Sequence, residues 1–364
     1  MHSYCNVMSR FSIKQPGVYV EEIRVGPTPI EGVYVSTAAF LGETQTGPST
    51  PTLITSWSQF QNVFGGFFGE DKYLPYAVKG FFENGGKRCY VCNLKNGDYK
   101  EALAKLEVND EVAILYSPNS QAIAGLSDLL IDHCERLKRF CIFDSQKGET
   151  PSNVSKPRQT AYAALYYPWI YVEYSGERCL VPPGGHIAGI YARVDAELGV
   201  NRAPANQEVK GAAALETTVN SYQIDSLNFE AINCIRSFEG RGIRVWGART
   251  LSSDLEYKYV SVKRLLIYLE RSIKRGTAWV MFEPNTEATW AKVKLQVEVF
   301  LMQAWQARML LGAKPQEAYF VHCDRSTMTQ NDIDNGRLNI LFGVAAVKPA
   351  EFLILRVNHV CAKQ

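Results

Sequence analysis

At 364 residues, with 46% hydrophobic and 21% charged side chains, the chain has enough apolar material for two domains or for one large domain with extensions. Its formal net charge of +2 selects neither a nucleic acid nor an acidic surface as partner, so any basic contact has to be local. The nine cysteines are an odd number set in apolar runs such as RFCIFD and AINCIRSF, and no apolar run reaches spanning length. This usage suits a reducing compartment and argues against both a disulfide framework and a membrane protein.

MHSYCNVMSRFSIKQ carries no signal-like apolar core, no usable pattern, and a second possible start at Met8. The tetrapeptide GVYV then occurs twice, at Gly17–Val20 and Gly32–Val35. Gly17–Ile23 alternates as a strand, and the spacer RVGPTPIE holds two prolines that cannot donate to a ladder. The second GVYV runs into STAAFLGET, which reads as the first core strand. DKYLPYAVKGFFENGG is a helix closed by a glycine pair, and KRCYVCNL is a buried strand. Residues 111–144 form a β-α-β unit with Leu126, Leu129, Leu130, His133 and Leu137 on one helical face, which implies a mostly parallel sheet. Residues 145–160 are a polar loop. A Pro-Pro-Gly-Gly turn next opens a helix, and a second polar stretch precedes another strand–helix series.

GIRVWG reads as a strand, and Asp254 as the cap of a helix running to about Lys274, with Leu255, Tyr259, Val262, Leu266, Leu269 and Ile273 inward. TAWVMFEP reads as a strand, and Asn285 as the cap of a long helix through about Leu311. EAYFVHCD and LNILFGVAAV are strands. Beyond Pro349, EFLILRVNH is a second isolated strand signal.

The chemistry-bearing motifs point away from catalysis. Cys89 and Cys92 form a CxxC, but residues three apart on a strand face opposite ways and cannot share a metal. His133 falls on an apolar helix face and reads as a core histidine. His322 and Cys323 are adjacent in sequence, whereas catalytic partners normally come from different segments. VPPGGHIAGI lacks both phosphate-loop spacings, and GRGIRVWG places its glycines before a strand rather than before a helix. The expectation is no catalytic site, no cofactor and no metal. One surface feature stands out: on the helix ending near 274, Lys263, Arg264, Arg271 and Lys274 share the face away from the leucines, and Arg275 extends the patch.

PGVYVEEI, GVYVSTAAFLGETQTGP, YYPWIYV, VPPGGHIAGIYARVDAELGVNRAPAN, LNFEAINCIRSFEGRGIRVWGARTLSSD, FEPN, AYFVHCD and VAAVKPAEFLILRV run from about residue 16 to 358. In these stretches and in this order the chain resembles the tail sheath proteins of contractile phage tails, R-type bacteriocins and extracellular contractile injection systems. Ala346 stands where many relatives have proline. The resemblance implies an α/β fold of mixed β-sheets flanked by helices, with N- and C-terminal strand-forming arms. It implies an arm and hinge over 1–26, an outer domain over 27–240, a tube-facing domain over 241–346 and a C-terminal arm over 347–364. It implies stacked six-subunit rings around an inner tube, with baseplate and terminator proteins, and sheath paralogues where a particle has them, as further partners. Such a particle is made in a bacterial cytoplasm and in some systems released, with no part for nucleic acid or membrane insertion. The arm strands implied are Gly17, Val18, Tyr19, Val20, Glu21, Glu22 and Ile23, and Glu351, Phe352, Leu353, Ile354, Leu355, Arg356 and Val357, hinged at Gly26, Pro27, Pro29 and Pro349. These strands would extend a neighbour's sheet through backbone hydrogen bonds. The basic helix face is then a candidate tube contact. A tube or baseplate part of the same machine is the nearest alternative, and an α/β enzyme a more distant one.

Overall fold

The computed structural model describes residues 29–94, 97–174 and 176–349. Thirteen strands and ten α-helices follow one another in these segments. The strands are β1 (Ala38–Gly42), β2 (Thr52–Ile54), β3 (Cys89–Asn93), β4 (Ile114–Tyr116), β5 (Phe140–Asp144), β6 (Ala163–Tyr167), β7 (Ile170–Tyr174), β8 (Glu177–Val181), β9 (Ala212–Leu215), β10 (Ile232–Phe238), β11 (Gly242–Val245), β12 (Tyr319–His322) and β13 (Leu341–Val344). The helices are α1 (Trp57–Phe64), α2 (Leu74–Glu83), α3 (Tyr99–Leu106), α4 (Leu126–Leu137), α5 (Gly184–Glu197), α6 (Ser221–Phe229), α7 (Val260–Gly276), α8 (Glu287–Gln306), α9 (Pro315–Ala318) and α10 (Gln330–Asp334).

Eight strands form one sheet in the order β11-β10-β6-β5-β4-β1-β3-β2. Its inner six run parallel, and the two outermost strands pair antiparallel. Parallel strands need covered faces, and each face here has its own core. Phe40, Tyr116 and Ile142 point to the side of α2 and α5, whereas Leu41, Leu115 and Cys141 point to the side of α3, α4 and α6. Cys89 and Cys92 divide the same way, one thiol in each core, as the strand period requires. An antiparallel sheet of order β8-β7-β9 and a two-stranded sheet, β12-β13, complete the architecture. A third core lies under the last of these, between α7, α8 and β12.

The glycine run of VPPGGHIAG works in packing rather than in phosphate binding. A Cβ on Gly185 would strike the Ala77 backbone, and one on Gly189 the Phe81 carbonyl, so α5 approaches α2 at backbone distance. At the start of α5 the Gly184 N–H donates to Asp144 Oδ1 at 2.7 Å, and the Tyr116 hydroxyl donates to Oδ2 at 2.7 Å. This buried carboxylate ties β5 to α5 and β4, and burial pushes its pKa up to about 7 despite those bonds. His133 and His186 are also buried, and burial pulls each down to about 4. His133 contacts the Arg139 guanidinium at 2.9 Å, while His186 is packed against Gly80.

Several expected elements differ. Residues 31–37 carry no ladder, so the second GVYV is not a strand, and β1 begins at Ala38. TAWVMFEP holds a 3-10 turn over Ala278–Phe282 instead of a strand. α7 starts six residues after Asp254, whose carboxylate instead accepts from the Glu256 N–H within a turn. Thr286 rather than Asn285 caps α8; Asn285 accepts from the Trp290 indole and donates to the Arg337 carbonyl. Gly242–Val245 pairs with β10, so the large sheet runs on past the expected division at 240/241.

Two substitutions probe this packing. Gly185→Ala should destabilise the chain by about 1–3 kcal/mol through overpacking, read from the urea midpoint. Asp144→Asn should alter the pH profile. A carboxyl raised in the fold binds its proton before the unfolded chain does, so the wild type gains stability as pH falls from about 7 toward 4. The asparagine variant lacks that gain, and its stability relative to wild type should be higher at pH 8 than at pH 5 in paired melts.

Candidate functional site: the strapped helix and the open sheet

The expected basic face of α7 is mostly interior. Lys263 is buried, its ammonium 3.8 Å from the ring centre of Tyr162 and 4.8 Å from that of Tyr257. Arg264 is only 3% exposed. Its guanidinium donates to both carboxylate oxygens of Asp195 at 2.7 and 2.6 Å and to the Val35 carbonyl at 2.8 Å, and it stacks 4.8 Å from the Tyr191 ring centre. Arg271 donates to the Val112 carbonyl at 3.1 Å, and burial lowers its pKa. Lys274 and Arg275 alone lie exposed, in the last turn, where cations suit the helix dipole. The expectation of one solvent-facing basic stripe is therefore corrected. On the face that a leucine-centred helical wheel left free, α5 and the segment before β1 cover Arg264, the Tyr162 and Tyr257 rings flank Lys263, and the Val112 carbonyl meets Arg271. α7 sends Val260 and Ile267 into the first core and Leu265, Leu269 and Ile273 into the third.

Burial works against the charge on Arg264, but the Asp195 carboxylate and its two bonds outweigh burial and hold the guanidinium pKa above its usual value. Burial likewise drives the Asp195 carboxyl upward against the pull of Arg264. An arginine keeps its proton throughout, so the ionised, doubly bonded pair is the state that fits the geometry.

Residues 29–37 lie as a strap along α7. Ile30 packs against Gly276, where a Cβ would sit 2.6 Å from Ile30 Cγ1. The Val33 N–H donates to Ser272 Oγ at 3.1 Å, and Gly32 lies so close to the Tyr268 hydroxyl that a side chain there would collide with it. Val35 is held by Arg264. The helix residues used, 264, 268, 272 and 276, are successive i+4 positions, which form one ridge. Sequence reasoning missed this ridge, although a glycine, a serine and a tyrosine at that spacing were its signal.

The second feature is the β12-β13 sheet. Phe320 pairs with Gly343 and His322 with Leu341, so Phe320, His322 and Leu341 share one face, and all three are exposed. Among the described residues each of these strands has one ladder partner, extended only by a Leu310–Ala346 bridge. Among the described residues, eight of the fifteen exposed large hydrophobic side chains, Met281 through Leu341, fall in this C-terminal stretch of the chain. Pro29 is exposed and Pro349 half-buried, while the expected arm strands 17–23 and 351–357 and hinge residues Gly26 and Pro27 lie outside the described residues. No group of three histidine, cysteine or acidic residues able to hold a metal occurs among the described residues, and none of their helices is long and apolar enough to cross a membrane.

Among the described residues the chain thus combines an eight-stranded sheet filled on both faces with a two-stranded sheet that carries exposed apolar side chains. Residues 93–251 match the phage tail sheath protein central domain and residues 252–359 the phage tail sheath C-terminal domain. A putative prophage major tail sheath protein of Pseudomonas aeruginosa (strain UCBPP-PA14) is 26% identical over 292 residues, covering 78% of this chain and 72% of that protein. Among solved structures, the helical sheath of the anti-feeding prophage in its contracted state is 33% identical with a TM-score of 0.80, covering 94% of this chain and 98% of the other. The contracted sheath complex of PVC, an extracellular contractile injection system, is 32% identical with a TM-score of 0.80, covering 96% and 98%. The chain belongs to the phage tail sheath family. It is a contractile sheath subunit, a component of a phage tail or tail-like particle.

The Arg264–Asp195 pair is the testable hinge-pin of this geometry. Arg264→Met and Asp195→Asn should each lower stability by about 3–5 kcal/mol in urea denaturation, because each strands a buried partner. The double variant should lose clearly less than the sum, and strict additivity would show that the pair is uncoupled.

Proposed function

We propose that this chain stacks as six-subunit rings around an inner tube, forming a sleeve whose contraction drives the tube through a target envelope. The observation that carries the reading is the open β12-β13 sheet, standing in the region where exposed apolar side chains concentrate. Residues 17–23 and 351–357 of neighbouring subunits are the strands we propose to extend such a sheet, with Gly26, Pro27, Pro29 and Pro349 in the hinges. A two-stranded sheet is marginal alone, and added strands would supply both pairing and cover.

The work of contraction comes from new interface formed between subunits, summed over many copies, with no nucleotide and no catalysis by this chain. Each 1.4 kcal/mol is about a tenfold bias per event, so a modest stabilisation per subunit commits the whole sleeve. The division into an outer and a tube-facing domain is proposed near residue 251, where the two family matches meet and beyond the last strand of the large sheet. Of the basic residues first considered, Lys274 and Arg275 alone stay in the proposal as tube contacts, being exposed. Baseplate and terminator proteins, and sister sheath proteins where present, complete the partners. Synthesis in a bacterial cytoplasm and release with the particle follow from this reading. A chain of the anti-feeding prophage baseplate, 33% identical with a TM-score of 0.81, favours a second reading in which this subunit forms the ring next to the baseplate.

Negative-stain microscopy of the full chain, with and without its tube protein, tests the proposal: long tubes or polysheaths are expected, and a small discrete oligomer under all conditions would refute it. Deleting residues 1–24 should leave a folded monomer that builds no sleeve, checked by circular dichroism and sedimentation. Lys274→Glu with Arg275→Glu should leave polysheath formation intact and abolish normal-length extended particles on the tube. Unchanged particles would remove these two residues from the tube contact.

A further inference from the structure

From the way residues 29–37 lie on α7, we infer that this strap is a mechanical clamp, through which tension on the N-terminal segment enters the fold along the helix axis. The inference rests on the proposal that residues 17–23 are held by a neighbouring subunit. Its basis is direction. Going forward along the strap, Ile30, Val33 and Val35 meet Gly276, Ser272 and Arg264 in descending order, so strap and helix run antiparallel. Five extended residues reach roughly 17 Å, and twelve helical residues rise about 18 Å. The two lengths agree, so the strap lies flat without slack.

A pull on residue 29 directed along the strap is therefore parallel to the line of attachment. The Val33–Ser272 bond, the Arg264 bond to the Val35 carbonyl, and the seats of Ile30 and Gly32 all share the load at once. A strap leaving perpendicular to the helix would instead be peeled one attachment at a time, which takes less force. The far end is anchored as well. The Thr37 carbonyl accepts from the Ala113 and Ile114 N–H groups, and the next residue begins β1, bonded on both sides to β3 and β4 inside the large sheet. Arg264 also bonds Asp195 of α5, which packs on that sheet. Tension applied at residue 29 thus reaches α5, α7 and the sheet centre together, and moves the subunit as one body.

Single-molecule pulling on the full chain tests this, with one handle at the N-terminus and the other beside exposed Leu255, which precedes α7, so that the force lies along the helix. Wild type should show a distinct first high-force release of the strap. Ser272→Ala removes the acceptor of the Val33 N–H, and Gly32→Ala lifts the strap from Tyr268; each should lower the force of that release. The serine variant should shift the thermal midpoint by only about 1–3 °C, separating loss of the clamp from loss of the fold. Sleeves built from either variant should assemble and then break between subunits on contraction. No high-force event in wild type, or an unchanged release force in both variants, overturns the clamp. A release force that falls in the variants while their sleeves contract intact also overturns it, since the strap then carries no load. If deleting residues 1–24 leaves polymerisation unchanged, the neighbour-held N-terminal strand is what has failed.

Discussion

Arg264 carries a full charge where water does not reach it, and the need to satisfy that charge brings three separate parts of the chain together. A guanidinium offers five donors in a fixed plane. Two here meet the Asp195 carboxylate on α5, one meets the backbone at Val35, and the Tyr191 ring covers the flat face. Replacing such a group with an apolar one of equal volume can be neutral for stability in other proteins, so its value need not lie in net free energy. It lies in specificity, because few arrangements of α5, α7 and the strap satisfy all those bonds.

From that node outward the molecule divides by function. The large sheet, filled on both faces, is a stiff body whose parallel inner strands have no exposed edge of their own. The C-terminal part is built oppositely, with one small open sheet and apolar side chains facing outward. A contractile sleeve needs both: bodies that keep their shape, and joints that stay connected while the bodies move. α7 joins these two parts, with side chains in the first and third cores.

Much of the fold was legible in the sequence because β1, β3, β4 and β5 are short apolar runs between clear breaks, and their period-2 division correctly parted Cys89 from Cys92. What failed did so for identifiable reasons. The second GVYV has a strand's alternation, but its backbone partners are side chains of a helix, and alternation does not name the partner. TAWVMFEP is too short an apolar run to tell a strand from a turn, and Met281 and Phe282 are exposed. The basic face of α7 was misread because charge was equated with solvent, whereas Arg264 and Lys263 are interior charges with specific partners. Family resemblance carried the function further than any motif did; among the described residues no group of three or more histidine, cysteine or acidic residues could hold a metal ion.

The central claim is that the body from the strap to β13 is complete before assembly and that polymerisation adds bonds only at its ends and its open sheet. Hydrogen exchange on the full chain, as monomer and as assembled sleeve, addresses it most directly. Amides of residues 29–37 and of α7 should be equally protected in both states, with new protection appearing at 17–23, at 351–357 and along β12-β13. Protection of the strap or α7 that appears only in the sleeve, or no new protection at the chain ends, would contradict the account.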